Sequence, residues 1–176
     1  RLFAWPCGFE SGEKLQDVIQ QIVAGCNRVV NETSPIVDAR LENGSRVNVV
    51  LGPIALNGPV VTIRRFPEQP IGMRELLAIG SISEEACSFL EKLVKARYNI
   101  FISGGTGSGK TTFLNALAGF IPADERLITI EDSAELQIRG IPNLVRMETR
   151  NANVEGCQPI TIRDLIKTSL RMRPDR

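Results

Sequence analysis

The sequence contains no histidine among its 176 residues. Acid–base chemistry in this chain must therefore use carboxylates, lysine or tyrosine, and mechanisms built on a Ser-His-Asp or Cys-His set are excluded within it. None of its cysteines form a Cys-x-x-Cys pair, the spacing of many zinc sites and redox pairs. We interpret all of them as reduced thiols, with Cys26 and Cys87 on apolar helix faces: Cys7, Cys26, Cys87 and Cys157.

A large excess of one charge is also missing, as is a long apolar run. The formal net charge is +1, which does not favour an extended nucleic-acid surface. The longest apolar runs, such as NVVLGPIAL, are too short to span a bilayer, and the first residues do not resemble a signal peptide. With 43% hydrophobic and 23% charged residues, the composition is typical of a globular protein with one domain or two small ones.

Residues 1–66 predict a small α+β domain. The stretch SGEKLQDVIQQIVAGCNRVVNE has apolar residues at helical spacing, and three short extended stretches follow it: PIVDARL, SRVNVVL and VVTIRRF. The Asn-Gly pair in ENGS favours a tight hairpin between the first two. Two prolines and a glycine then break the pattern in PEQPIG, so we interpret residues 67–72 as a linker.

Residues 73–176 predict an α/β domain with a mostly parallel sheet. A short helix is expected around Arg74–Ala78, and Ser81 and Glu84 have the spacing of a capping box for the next helix, whose apolar face includes Phe89. Strands then alternate with helices, which is typical of a parallel sheet. The predicted strands are YNIFIS, RLITIE and NLVRMET, and the predicted helices are KTTFLNALAGF and TIRDLIKTSLRM.

The stretch GGTGSGKT lies between a predicted strand and a predicted helix, and it satisfies the phosphate-loop pattern G-x-x-x-x-G-K-[ST]. Its glycines are expected to adopt positive φ angles that turn backbone N–H groups toward phosphates. Lys110 would reach the β- and γ-phosphates, and the Thr111 hydroxyl would ligate Mg²⁺. ATP and Mg²⁺ are the expected ligands of this predicted set: Gly104, Gly105, Thr106, Gly107, Ser108, Gly109, Lys110, Thr111 and Thr112.

Two carboxylates, Glu131 and Asp132, end the predicted strand RLITIE. Ligands of an open parallel sheet bind at the carboxyl ends of its strands. Glu131 is therefore a candidate to orient or deprotonate a water molecule, or to hold Mg²⁺ through water. The alternative interpretation is that Asp132 or Ser133 caps a following helix and that Glu131 is only solvated.

Together these stretches resemble the type II/type IV secretion-system ATPase superfamily, most closely its VirB11-like and CpaF/TadA-like pilus-assembly branch. The resemblance extends over nearly the whole chain and is carried by DARLENGSRVN, LNGPVVTIRRF, ISGGTGSGKTTFLNAL, ERLITIEDSAEL and RDLIKTSLRMRPDR. It implies a RecA-like domain for residues 73–176 and a cytoplasmic hexameric ATPase. Such an ATPase couples ATP hydrolysis to pilus assembly or export, acting peripherally at the inner membrane through partner proteins, with nucleic acid only as cargo.

The resemblance also implies roles for particular residues. Glu131 corresponds to a candidate general base and Lys110 to a catalytic phosphate-binding lysine. Four arginines correspond to candidates for sensing the γ-phosphate: Arg40, Arg46, Arg64 and Arg65. Because successive residues of a strand point to opposite faces, Arg64 and Arg65 cannot both reach one phosphate without a bulge. Each arginine is alternatively a sheet-surface residue.

The family continues after RMRPDR into a Walker B strand and a His box, so we interpret the chain as a truncated form. It is expected to bind ATP and to hydrolyse it poorly. Two other functions stay open. The first is a nucleotide-dependent regulatory or scaffold module without turnover. The second is a small-molecule kinase, which leaves residues 1–66 without a role.

Overall fold

The computed structural model describes residues 3–66, 69–150 and 158–176. The chain divides into two compact units, Arg1–Pro67 and Glu68–Arg176. Pro67 and Glu68 of the predicted linker lie outside the described residues, as does Cys157. The assignment of residues 1–66 to one domain and of residues 73–176 to another stays a prediction.

The first unit packs one helix against one face of a three-stranded antiparallel sheet. The helix α1 (Gly12–Gly25) begins where the Ser11 hydroxyl accepts a hydrogen bond from the Lys14 N–H at 3.1 Å. The strands β1 (Ile36–Arg40), β2 (Arg46–Val50) and β3 (Val60–Arg64) are hydrogen-bonded in chain order. Its core consists of aliphatic side chains from α1, β1, β2 and the segment between α1 and β1: Ile19, Val23, Val30, Val37, Val47 and Val49.

The predicted hairpin between β1 and β2 is confirmed. Its turn contains Gly44 at φ +85°, and the Asn43 side chain accepts a hydrogen bond from the Ser45 N–H at 3.0 Å. The preceding helix is shorter than predicted, because the chain leaves the helical conformation at Asn27, whose φ is +54°. Val29 lies beyond this turn and is 72% exposed, although the helical spacing placed it on the buried face.

The second unit has three helices that share one apolar cluster: α2 (Met73–Ala78), α3 (Glu84–Lys95) and α4 (Lys110–Ala118). The capping residue of α3 differs from the predicted one, since Ser83 and not Ser81 accepts the Ala86 N–H. A capping box requires an acidic or amide side chain at the third residue of the helix, and Glu84 is the first residue of α3, so the predicted capping box is absent. Phe89, predicted on the buried face, is 60% exposed. No helix in the described ranges is long and apolar enough to cross a membrane.

The sheet of the second unit consists of two parallel strands, β4 (Leu127–Glu131) and β5 (Leu144–Glu148), which contact the helix α5 (Ile162–Ser169). On the other edge of β4, Arg176 makes both hydrogen bonds of a parallel bridge. Its N–H donates to the Arg126 carbonyl at 3.2 Å, and its carbonyl accepts from the Ile128 N–H at 3.0 Å.

Residues 98–103, predicted as the strand YNIFIS, do not form a strand. A strand requires ladder hydrogen bonds to a neighbour, and residues 99–103 have no backbone partner within the described parts of the chain. Phe101 is accordingly 93% exposed. The predicted fold class is nevertheless confirmed, because a small α+β unit precedes an α/β unit whose strands are parallel.

Candidate nucleotide site

Residues 104–109 form a glycine-rich loop that leads directly into α4. Gly107 (φ +74°) and Gly109 (φ +89°) adopt the left-handed conformation that a residue with a Cβ rarely tolerates. At Gly104 a Cβ would lie 2.6 Å from the Ser108 Oγ, so a substitution there would require the Ser108 side chain to rotate. Gly105 has neither constraint. The expectation of positive φ angles is therefore right for two of the four glycines and wrong for Gly104 and Gly105.

The first turn of α4 faces the loop without a capping side chain. Gly109 is its N-cap residue and supplies no side-chain hydrogen bond. The first backbone N–H groups of an uncapped helix are available to an anion, and the helix dipole adds partial positive charge at the same end. Thr111 and Thr112, the two residues expected beside Mg²⁺ and phosphate, lie half-buried in this turn.

The Lys110 side chain is held against the loop. Its Nζ donates hydrogen bonds to the carbonyls of Gly105, at 2.6 Å, and Gly104, at 3.0 Å. A compact loop, an uncapped helix N-terminus and an ammonium group therefore come together within residues 104–112. This donor set fits a polyphosphate group, whose oxygens accept hydrogen bonds from backbone amides and lysine.

A cavity of about 680 Å³ opens beside the loop. Ser108, Gly109, Lys110 and Thr112 line one end of it, and most of the remaining lining is apolar. A volume of this size is within the range of small-molecule sites. The apolar side chains of the lining are Ile71, Leu76, Ile79, Ile82, Leu90, Ile100, Phe101, Ile102 and Phe113.

Glu131 ends β4, and the chain that follows anchors its carboxylate. Oε2 accepts hydrogen bonds from the N–H groups of Glu135, at 2.7 Å, and Leu136, at 2.9 Å. Oε1 is buried and has no hydrogen-bond partner among the described residues. An unpaired buried acceptor is costly, so Oε1 is the atom of this carboxylate that can accept a bond from a water molecule or another donor.

Asp132 is positioned by the neighbouring strand. The Thr149 hydroxyl lies 2.9 Å from Asp132 Oδ1 and 3.0 Å from the Asp132 carbonyl oxygen. Residues 132–138 form no helix. The alternative that Asp132 or Ser133 caps a helix is therefore wrong.

The segment after β4 also contacts α4 and β5. The Gln137 N–H donates to Asn115 Oδ1 on α4 at 2.9 Å, and the Ala134 N–H donates to Glu148 Oε1 on β5 at 2.9 Å. Asn115 lies one helical turn after Thr111. Asn115 was not predicted from the sequence. Its hydrogen-bond partner, Gln137, lies 22 residues later in the chain, so no local pattern relates the two residues.

Three of the four candidate arginines form a row across the sheet of the first unit. Arg40 lies opposite Arg46, and Arg46 lies opposite Arg64. Directly opposed residues of an antiparallel pair project from the same face, so the three side chains leave the same side of the sheet. Arg65 follows the last residue of β3 and is not part of this row. The structure therefore groups three of the candidates and separates the fourth.

A buried ion pair was also missed from the sequence. Glu125 Oε2 lies 2.5 Å from Arg176 Nε, and Glu125 Oε1 lies 3.2 Å from the Arg97 guanidinium. The hydrogen bond from Arg176, followed by the charges of both arginines, holds the pKa of Glu125 below its ordinary value. Fifty-one residues separate Glu125 and Arg176, so no local pattern relates them.

Comparison with known proteins identifies the class. Residues 4–176 match the family described as Type II/IV secretion system protein. The chain belongs to this family, which confirms the resemblance to the secretion-ATPase superfamily.

Among individual relatives, an uncharacterized protein of Methanocaldococcus jannaschii is 41% identical over 165 residues, covering 90% of this chain and 23% of that protein. The conjugal transfer protein TrbB of Rhizobium radiobacter is 33% identical over 163 residues, covering 90% and 48%. The type IV secretion system protein VirB11 of Brucella suis biovar 1 is 34% identical over 172 residues, covering 84% and 47%. The chain thus spans less than half the length of these relatives.

A crystal structure of the VirB11 ATPase from the Brucella suis type IV secretion system, in complex with sulphate, is also similar. It is 28% identical with a TM-score of 0.45, and the match covers 94% of this chain and 55% of that one.

Proposed function

We propose that this chain binds ATP with Mg²⁺ through residues 104–112 and serves as the nucleotide-binding part of a secretion or pilus-assembly ATPase. The observation that carries the proposal is the arrangement of Lys110. Its ammonium lies on the carbonyls of Gly104 and Gly105, at the uncapped start of α4. A cation and a set of backbone donors are thereby assembled in one place, as polyphosphate binding requires.

The residues of the loop have different parts in this proposal. Gly104, Gly107 and Gly109 keep the loop free of side chains where its amides approach phosphate oxygens closely. Lys110 moves from the loop carbonyls to the β- and γ-phosphate oxygens, and Thr111 supplies a hydroxyl ligand to Mg²⁺. Mg²⁺ neutralises charge on the phosphates when it is bound.

Glu131 is proposed to position the water molecule that attacks the γ-phosphate, through its Oε1. The anchoring of Oε2 by two backbone amides supports this role, because a fixed carboxylate presents its second oxygen in a defined direction. The arginine row of Arg40, Arg46 and Arg64 is proposed to sense the γ-phosphate. Guanidinium groups suit this task, since they are permanently charged and donate in a planar fork.

At the level of the assembly, we propose a homo-hexamer in the cytoplasm that couples ATP hydrolysis to the transport of protein or DNA. It would act peripherally at the inner membrane through secretion or pilus-assembly proteins. Membership of the secretion family supports this proposal, as do relatives named for conjugal transfer and type IV secretion.

The deciding experiment compares ATP binding by the wild-type chain, Lys110→Ala and the control Lys95→Ala. Lys95 is an exposed lysine of α3 that pairs with Glu91 at 2.6 Å, so its replacement removes an equal charge away from the loop. Lys110→Ala is expected to weaken Mg·ATP binding at least about tenfold, and Lys95→Ala less than about twofold. Equal ATP affinity of the wild type and Lys110→Ala would refute the proposal.

Because this chain is expected to bind ATP but to hydrolyse it poorly, phosphate release is measured on the full-length protein and its Lys110→Ala variant, where it separates the motor from a regulatory module. Mg²⁺-dependent release that Lys110→Ala abolishes supports an ATPase. ATP binding without release supports the alternative of a nucleotide-dependent module.

A further inference from the structure

Asn115 is the point at which the helix of the phosphate loop contacts the segment that holds Glu131. Its Oδ1 accepts the Gln137 N–H at 2.9 Å, in a part-buried position. Because α4 starts at Lys110, residues 110–115 form one continuous stretch of helix. A helix of this length moves as a rigid body, so the position of Asn115 is determined by the position of the loop.

The partner of Asn115 is the last of three consecutive backbone donors. The N–H groups of Glu135 and Leu136 bind Glu131 Oε2, and the next N–H, that of Gln137, binds Asn115. Because adjacent peptide groups share one chain, fixing one of the three restricts the other two. Glu131 Oε2 and Asn115 Oδ1 therefore both bind the backbone of residues 135–137.

We propose that Asn115 is a positioning residue, which sets the location of the Glu131 carboxylate relative to the phosphate loop. This inference rests on the proposed function, since it deepens the role of Glu131 at the same site. Asn115 itself touches neither phosphate nor the reacting atoms in this proposal, and it acts only through residues 135–137.

Amide hydrogen exchange tests the proposal directly, because two of the three donors do not contact Asn115. If Asn115 only satisfies one local hydrogen bond, Asn115→Ala accelerates exchange at Gln137 alone. If it positions the segment, Asn115→Ala also accelerates exchange at Glu135 and Leu136, by about tenfold, which is the effect of losing roughly one hydrogen bond of ordinary strength.

Two further variants control for stability. Asn115→Asp keeps an oxygen acceptor at the same place and is expected to retain protection of all three amides. Asn143→Ala removes an asparagine oxygen that accepts a hydrogen bond from Arg126 at 2.8 Å, in the same unit and outside the candidate site. It is expected to leave exchange at residues 135–137 unchanged. Equal acceleration by Asn143→Ala and Asn115→Ala would overturn the proposal, as would acceleration confined to Gln137.

The same proteins are then titrated with Mg·ATP. Wild type and Asn115→Ala are expected to bind with affinities within about twofold, since the loop itself is unchanged. Bound Mg·ATP is expected to slow exchange at Glu135 and Leu136 in the wild type and in Asn115→Asp, but not in Asn115→Ala. Slowing that survives in Asn115→Ala contradicts the positioning role. Absence of ATP binding by the wild type contradicts the proposed function instead, and the exchange data without nucleotide then still decide the role of Asn115.

Discussion

Arg40 and Arg46 occupy directly opposed positions on β1 and β2, and their side chains leave the same face of the sheet. Arg64 continues the row on the far side of Arg46. Asp38 projects from the same face of β1 as Arg40, two residues away, so the row of arginines has an acidic neighbour.

We predict that alanine substitutions of the adjacent residues Gly104 and Gly105 have different effects on Mg·ATP binding. Gly104→Ala places a Cβ 2.6 Å from Ser108 Oγ, whereas a Cβ at Gly105 has no atom within 4 Å. We expect Gly104→Ala to weaken Mg·ATP binding by roughly tenfold and Gly105→Ala by less than about twofold, measured by calorimetric titration.

A double variant identifies the cause. Ser108→Ala removes the clashing oxygen and leaves Ser108 Cβ, at 3.5 Å, as the nearest atom to the new Cβ. Gly104→Ala combined with Ser108→Ala should therefore bind Mg·ATP like Ser108→Ala alone. If the defect of Gly104→Ala persists in the double variant, crowding against Ser108 is not its origin.

Glu131 allows structure and chemistry to be tested separately. Glu131→Gln retains a side-chain oxygen that can accept from Glu135 and Leu136, but it is a much weaker base. We expect it to preserve Mg·ATP binding in this chain and, in the full-length protein, to lower Mg²⁺-dependent phosphate release by roughly 100-fold or more.

Glu131→Ala removes the anchor as well, so it should also loosen residues 135–137 in amide exchange. Phosphate release by Glu131→Gln at the wild-type rate would rule out a role for the carboxylate charge in hydrolysis.

The Glu125–Arg176 pair predicts a pH dependence of stability. Because Arg176 holds the pKa of Glu125 below its ordinary value of 4.5, the ionised carboxylate stabilises the folded state. This contribution is fully present above the ordinary value and is lost as the pH falls through the lowered one. Glu125→Gln should cost about 1.5–3 kcal/mol at pH 7, and the difference from wild type should shrink below about pH 4.5.

Chemical unfolding between pH 7 and pH 3 measures this effect, with Asp124→Asn as an exposed neighbouring control. A difference between Glu125→Gln and wild type that stays constant with pH would mean that the carboxylate is not the source of the stabilisation.

The features that the sequence predicts well are those determined by neighbouring residues. The Asn43–Gly44 pair indicates a hairpin, and the structure has one with the expected strands on either side. The pattern around Lys110 likewise places a loop before a helix, and α4 begins at that lysine. In both cases a few consecutive residues contain the physical cause, which is the conformational freedom of glycine.

Features that depend on distant partners were not predictable in the same way. Residues 98–103 have the composition of a strand, yet a strand exists only beside another one. The pairing of Asn115 with Gln137, and of Glu125 with Arg176, spans 22 and 51 residues. The N-cap of α3 was also hard to predict. Ser81 and Ser83 both precede the helix, and which of them caps it depends on the residue at which the helix begins.

The two hydrogen bonds from Lys110 to its own loop have a consequence for anion selectivity. An anion that recruits this ammonium must replace both bonds and leave the carbonyls of Gly104 and Gly105 to water. We expect a triphosphate chain, which engages the loop amides and the lysine together, to compete with these carbonyls better than orthophosphate does. The loop itself thus partly neutralises the charge of Lys110 before any anion binds.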